Sequence, residues 1–296
     1  SVLLATGSAP IGYHIAKDLG QPVGPPFPSL FSFRLEPGHP LDGLQGVSIP
    51  DAEVTLLPVG IDDSDCEGGP KKMMGCDGGR KQVMDVSPSS SRAHPLDLKQ
   101  RGPILVTHRG LSGPAVLRLS AFAAEELKDR AYTGTLCLNL VPDASGPAEV
   151  GAALREYGRG EGRRRNLSRP PINQAGEEAG GHSLLPQLPR RLWGALLSHC
   201  HLDPSAKWSQ MSAPQQEVLS NALVGLEIPF RGRDANKEEF VTGGGVELHG
   251  LDLKRMESRF VKGLFFAGEL LNVDGVTGGF NFQNCWSTGH IAGEAM

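Results

Sequence analysis

The sequence predicts an α/β protein built from two units, one of which is left and later re-entered by the chain. Three observations predict this. The amino end reads as strand, turn and helix, the middle mixes short alternating strands with helices, and the stretch from Glu239 onward returns to strand, glycine loop and helix.

Ser1-Val-Leu-Leu-Ala-Thr-Gly7 is an apolar strand running into a glycine turn. Ile11, Ile15 and Leu19 then share one helical face before Gly20 stops the helix. The proline-rich stretch from Gln21 to Pro28 breaks regular structure and marks a crossing between units near residue 30. Beyond it, Phe31-Ser-Phe33-Arg-Leu35, Val47-Ser-Ile49 and Ala52-Glu-Val54-Thr-Leu56 alternate with the period of two of antiparallel strands. Residues 61–101 are glycine-rich, serine-rich and charged without periodicity, and read as a poorly ordered insertion.

Gly102 to His108 predicts a strand, and a helix follows to about Lys128. Ser112 or Gly113 can cap that helix, Pro114 suits its first turn, and Val116, Leu119, Ala123 and Leu127 share a face. Tyr132 to Val141 is another strand, 158–181 a second irregular tract, and helices are expected at about 189–200 and 214–224. The Arg163-Arg-Arg165 cluster reads as a solvated loop rather than a nucleic-acid patch, because no aromatic residues interleave it. The expected organisation is one unit from residues 1–30 and 233–296, with 31–232 inserted between them.

Composition narrows the partners. A net charge of −4 and a pI near 6.1 give no basic footprint for nucleic acid. No apolar run approaches the ~20 residues of a membrane-spanning helix, so no membrane partner is expected. Five scattered cysteines without a C-x-x-C pair argue against disulfides and zinc, and favour a soluble chain in a reducing compartment, cytoplasm or organelle. His199-Cys-His201 suggests no metal either, since side chains two apart on a helix diverge.

The chemistry concentrates near the carboxyl end. In Leu264-Phe-Phe-Ala-Gly-Glu269 an apolar strand ends in glycine, where backbone can approach a ligand, and a carboxylate suited to a sugar hydroxyl follows. Thr277-Gly-Gly-Phe-Asn281 opens the last helix, where free amides make an anion site. Sugar and anion sites a few residues apart, with Ala5-Thr-Gly7 at the other end, favour a dinucleotide. His108 is the candidate proton donor for general acid work, beside the reading that it merely bonds the Ser112 turn.

Three separated motifs then resemble one family in the correct order. Val241-Thr-Gly-Gly-Gly-Val246, Met256-Glu-Ser258, Gly263 to Glu269, Asp274-Gly275 and Thr277 to Gln283 resemble the carboxyl-terminal signature of the BaiN-like (YhiN-type) flavoproteins, related to bile-acid reductase-like and aminoacetone oxidase-like proteins. Thr107-His-Arg-Gly-Leu-Ser-Gly-Pro114 and Ala5-Thr-Gly7 with Gly12, Tyr13 and Ala16 resemble two further family segments. The resemblance implies a Rossmann-like FAD-binding domain interrupted by a β-barrel and helices. It places Thr6 and Gly7 near FAD, Gly268 and Glu269 at its ribityl and pyrophosphate region, and Gly278, Gly279, Phe280 and Asn281 at the pyrophosphate or isoalloxazine. The implied function is an FAD-dependent oxidoreductase acting on a small organic substrate.

The chain departs from the family pattern in Ser8 for glycine, Asn272 for aspartate and Phe280 for tyrosine. The family's G-x-G-x-x-G unit, expected at an amino-terminal βαβ, does not occur in this sequence. The alternative expectation is therefore a non-catalytic fragment or binding module that no longer holds FAD.

Overall fold

A computed structural model describes residues 1–58, 98–171, 188–234 and 241–296. Most of the first irregular tract, the end of the second, and Cys66, Cys76 and Phe240 lie outside the described residues.

The chain opens with β1 (Val2–Leu4) and α1 (Pro10–Asp18), then β2 (Val23–Ser29). Three strands follow, β3 (Phe33–Leu35), β4 (Ser48–Leu56) and β5 (Lys99–Val106), then β6 (Gly110–Ser112), α2 (Pro114–Phe122), α3 (Ala124–Asp129) and β7 (Thr133–Asn139). Three helices come next, α4 (Pro147–Arg159), α5 (Arg190–His199) and α6 (Ala213–Val224), before β8 (Leu226–Arg233). The last part holds β9 (Val241–Val246), β10 (Leu251–Asp252), β11 (Glu257–Ser258), β12 (Leu264–Phe266) and α7 (Phe280–Ala295).

These elements form an α/β protein with a closed six-stranded barrel, ordered β3-β6-β5-β4-β7-β8, every neighbouring pair antiparallel. Closure leaves the barrel no open edge. Phe31, Phe33 and Phe230 pack edge to face inside its core, which continues into α2 through α6 and the stacked Trp193 and Trp208 rings. A second sheet, β1-β12-β11-β10, carries the Rossmann-like part, with β1 and β12 parallel and a smaller core around Tyr13, Phe265, Phe266 and Leu270.

Between the two cores, β2 and β9 pair as an antiparallel ribbon. The proline-rich stretch is therefore a strand, contrary to the sequence expectation. Pro25 and Pro26 sit where the register shifts between Gly24 and Phe27, so their missing N–H groups interrupt a bulge rather than a ladder.

Other elements also depart from expectation. The helix expected to run to Lys128 breaks at Ala123 (φ −93°, ψ 4°), although Val116, Leu119, Ala123 and Leu127 are all buried as their spacing predicts. Lys99 to Arg101 are strand rather than part of the irregular tract, because they pair with Thr55 to Glu53 of β4. Helix α4 and strand β8 were not among the expected elements; α4 buries only Val150, Gly151, Leu154 and Gly158, a face too poor in large apolar residues to announce itself. The largest reversal is in α1. It buries Gly12, Tyr13 and Ala16, while Ile11, Ile15 and Leu19 are 59, 36 and 43% exposed. Gly12 fixes which face turns inward, because Thr6 presses onto it and a Cβ there would stand 1.8 Å from Thr6 Oγ1.

Candidate functional site

Because β1 and β12 run parallel, with Leu4 beside Phe266, their carboxyl ends emerge at the same rim of the sheet. Thr6-Gly7 leaves one strand there, and Gly268-Glu269 leaves the other. Gly7 (φ +62°) faces Glu269: a Cβ on it would stand 3.8 Å from Glu269 Oε2. The other carboxylate oxygen, Oε1, accepts from the Thr242 backbone N–H at 3.1 Å. Half-buried Glu269 is thus anchored on β9 by one oxygen, with the second turned toward the Gly7 turn.

The loop from Asn272 to Gly279 is held at several points. Asn272 donates to both Glu247 oxygens at 3.3 and 3.2 Å, and its Oδ1 accepts from Gly244 N–H at 3.0 Å. Ser29 Oγ donates to Asp274 Oδ2 at 2.5 Å, joining the loop to β2. Asn281 clamps Gly275 in both directions, accepting from its N–H at 2.8 Å and donating to its carbonyl at 2.9 Å. Helix α7 then starts after Gly279, which is left-handed (φ 86°, ψ 2°), and no side chain caps it. An uncapped helix start leaves its first amides free for an anion. Gly268 N–H donates to Thr288 Oγ1 at 2.9 Å, seating α7 against the end of β12.

The structure thus brings Gly7, Gly268 and Glu269 together, and joins them through one loop to Gly278, Gly279, Phe280 and Asn281. Thr6 is exposed beside them, and Phe280 is 60% exposed. The Asn281 side chain is committed to the loop, so it positions the glycines and leaves its backbone amide for a ligand. His108 is not brought to this cluster. It is exposed on the turn between β5 and β6, where Thr107 Oγ1 accepts from Arg109 and Gly110 N–H groups, and it has no hydrogen bond to the cluster among the described residues. Gly110 is required by close approach, since a Cβ there would stand 2.0 Å from Phe33 O. The Thr107 to Pro114 motif therefore has a clear structural role in closing the barrel.

Two residues that sequence reasoning assigned no role stand in this site. Asn272 is the hub of the loop. Tyr13 is 4% exposed with a hydroxyl that has no hydrogen-bond partner among the described residues, and its pKa is raised by burial first and by the Glu269 charge second. Its signal in sequence was its place beside Gly12 in the amino-terminal motif.

A cleft of about 240 Å³ opens between the ribbon and α3, lined by Phe27, Lys128, Gly244, Glu247 and Asn272 among others, with Lys128 Nζ 4.9 Å from the Phe27 ring centre. It shares Gly244 and Asn272 with the loop network. Among the described residues no cluster could hold a metal ion, and no helix is long and apolar enough to cross a membrane. Burial pushes the Cys137 and Cys200 thiol pKa values up.

Comparison with known proteins bears on the same elements. A family model described as "HI0933-like protein Rossmann domain" matches residues 2–295. The chain is 27% identical over 297 residues, 96% of its length, to a protein from Haemophilus influenzae named ribosomal RNA dihydrouridine synthase. It is 32% identical over 188 residues, 64% of its length, to the protein of that name from Escherichia coli. It is 25% identical over 292 residues, 98% of its length, to a 3-dehydro-bile acid delta(4,6)-reductase from Clostridium scindens. These matches span 55%, 40% and 58% of the respective relatives.

Proposed function

The chain belongs to the HI0933-like Rossmann-domain family, and from that premise we propose that it is the FAD-holding polypeptide of an oxidoreductase acting on a small organic substrate. The observation that carries this reading is the approach of Gly7 to Glu269 at the shared rim of β1 and β12, with the glycine start of α7 one loop away. The residues fit the group. No Cβ obstructs the rim at Gly7 or Gly268, Glu269 Oε2 is free to accept from a sugar hydroxyl, and the uncapped amides after Gly279 suit a pyrophosphate. That a relative spanning nearly the whole chain is named a reductase supports redox chemistry.

In this reading Thr6 and Gly7 border the nucleotide, Gly268 and Glu269 hold its ribityl and pyrophosphate region, and Gly278, Gly279, Phe280 and the Asn281 backbone meet the pyrophosphate or ring. The bound flavin would supply the hydride chemistry. The protein's share is orientation: Asn272, Asp274 and Asn281 fix the loop so that the α7 amides point at one place. The cleft beside Lys128 and Asn272 is the proposed substrate position, between ribbon and barrel-side helix. His108, the proton donor expected from sequence, does not line this cleft and is given no step in this reading.

The test is a titration of the chain with FAD, followed by quenching of flavin fluorescence. Saturable binding is expected. Glu269→Ala should weaken it about tenfold, the size of one hydrogen bond to a charged group, whereas Arg164→Ala on the exposed loop after α4 should not. No saturable binding, or equal losses from both variants, would refute the reading.

A further inference from the structure

The Tyr13 hydroxyl is a buried donor with no hydrogen-bond acceptor among the described residues. Leaving such a group without a partner is costly, so a persistent orphan beside a candidate site asks for a partner that the bound state supplies. Three features say which partner. Tyr13 lies on α1, directly after the Thr6-Gly7 turn and next to Gly12, which Thr6 covers. Its ring packs on β9: a Cβ at Gly245 would stand 3.2 Å from Tyr13 Cε1. Glu269 is fastened to that same strand, three residues away, through Thr242 N–H. Phenol and carboxylate therefore lean on one strand from α1 and from the end of β12, and the field of the carboxylate is felt at the phenol.

Glu269 has one oxygen engaged and one without a hydrogen-bond partner among the described residues. A carboxylate held by a single bond can rotate, and rotation would misalign the oxygen meant for a ligand. A second donor would stop it. We propose that Tyr13 is a positioning residue for the nucleotide: its hydroxyl donates to Glu269 once a sugar hydroxyl of the bound dinucleotide engages the carboxylate, so that phenol and carboxylate act as one unit. This rests on the flavin reading above and adds the residue that makes Glu269 selective for a fixed hydroxyl position. Gly245 admits this packing, although its first constraint is the Leu270 carbonyl, from which a Cβ would stand 2.5 Å, ahead of the Tyr13 ring at 3.2 Å.

The experiment is a double-mutant cycle on FAD affinity with Tyr13→Phe, Glu269→Gln and the double variant, read by fluorescence titration. Tyr13→Phe removes only the oxygen. It should weaken FAD about tenfold in the otherwise unchanged protein and by less than about twofold when Glu269→Gln is already present. Chemical denaturation without FAD should find Tyr13→Phe as stable as the parent or more so, because no hydrogen bond is lost from the unliganded fold. With only three tyrosines in the chain, ultraviolet titration of tyrosinate provides a reading independent of flavin: Glu269→Gln should lower the alkaline midpoint that Tyr13→Phe removes from the trace. Equal FAD affinity of parent and Tyr13→Phe, or additive losses in the cycle, would overturn the pairing and leave the flavin reading standing. No FAD binding by the parent would overturn both.

Discussion

The barrel and the Rossmann-like layer treat their apolar residues differently. In the barrel and its helices the apolar side chains form one continuous core, and helices α4, α5 and α6 each turn a buried face to it. In the other layer, α7 runs sixteen residues yet buries only Ala292, while Phe282 and Trp286 stack on each other at 68 and 67% exposure. Val2 and Ile11 are similarly open. Where packing is complete, residue choice is explained by packing. Where it is not, packing leaves the choice of residues such as Gly7, Glu269 and Asn272 unexplained, and that is the layer in which the proposed ligand chemistry is to be tested.

This contrast can be broken by substitution. The largest effect is expected at Phe33, fully buried between Phe31 and Phe230. Phe33→Ala should cost about 3–5 kcal/mol in urea denaturation, through lost burial and the cavity left behind. A cost below about 1 kcal/mol would mean that the barrel is not the tightly packed half.

An intermediate effect is expected at Asn272, whose side-chain amide donates to both Glu247 oxygens. Asn272→Asp would replace a donor to Glu247 with a second carboxylate facing it, destabilising the fold by about 1–3 kcal/mol at neutral pH. Like charges raise both folded-state pKa values above their unfolded ones. The penalty is therefore full above the carboxylate range and shrinks as pH falls through it. Stability that does not recover on acidification, relative to the parent at each pH, would argue against this contact.

The smallest effect belongs to Trp286. Trp286→Ser should shift stability by less than about 0.5 kcal/mol despite removing the largest side chain on α7, since that side chain covers little in this fold. A loss comparable to Phe33→Ala would erase the distinction between the two layers.

Much of the architecture was legible because local patterns repeat in the chain. The alternation in Phe31 to Leu35 and Ala52 to Leu56 became β3 and β4, and the Val116, Leu119, Ala123, Leu127 spacing became a buried face even across a helix break. Failures came where local pattern and tertiary demand differ. Ile11, Ile15 and Leu19 form the better apolar stripe, yet α1 turns Gly12, Tyr13 and Ala16 inward because Thr6 needs a residue without a side chain opposite it. Prolines advertised a break, yet a bulge absorbed them into β2.

By itself the sequence determined the types of many elements, though not of β2, α4 or β8, and the glycine-rich segments that resemble one family, since propensity, turn chemistry and motif spacing act over a few residues. Only the tertiary structure decided that those segments meet. Parallel pairing of β1 with β12 brings Gly7 to Glu269 across more than two hundred residues of chain, and β9 supplies a backbone N–H to Glu269 and a glycine surface to Tyr13, contacts that its motif does not announce. The physical reason is that hydrogen bonds and close approaches are fixed by distances in space, which local periodicity does not encode.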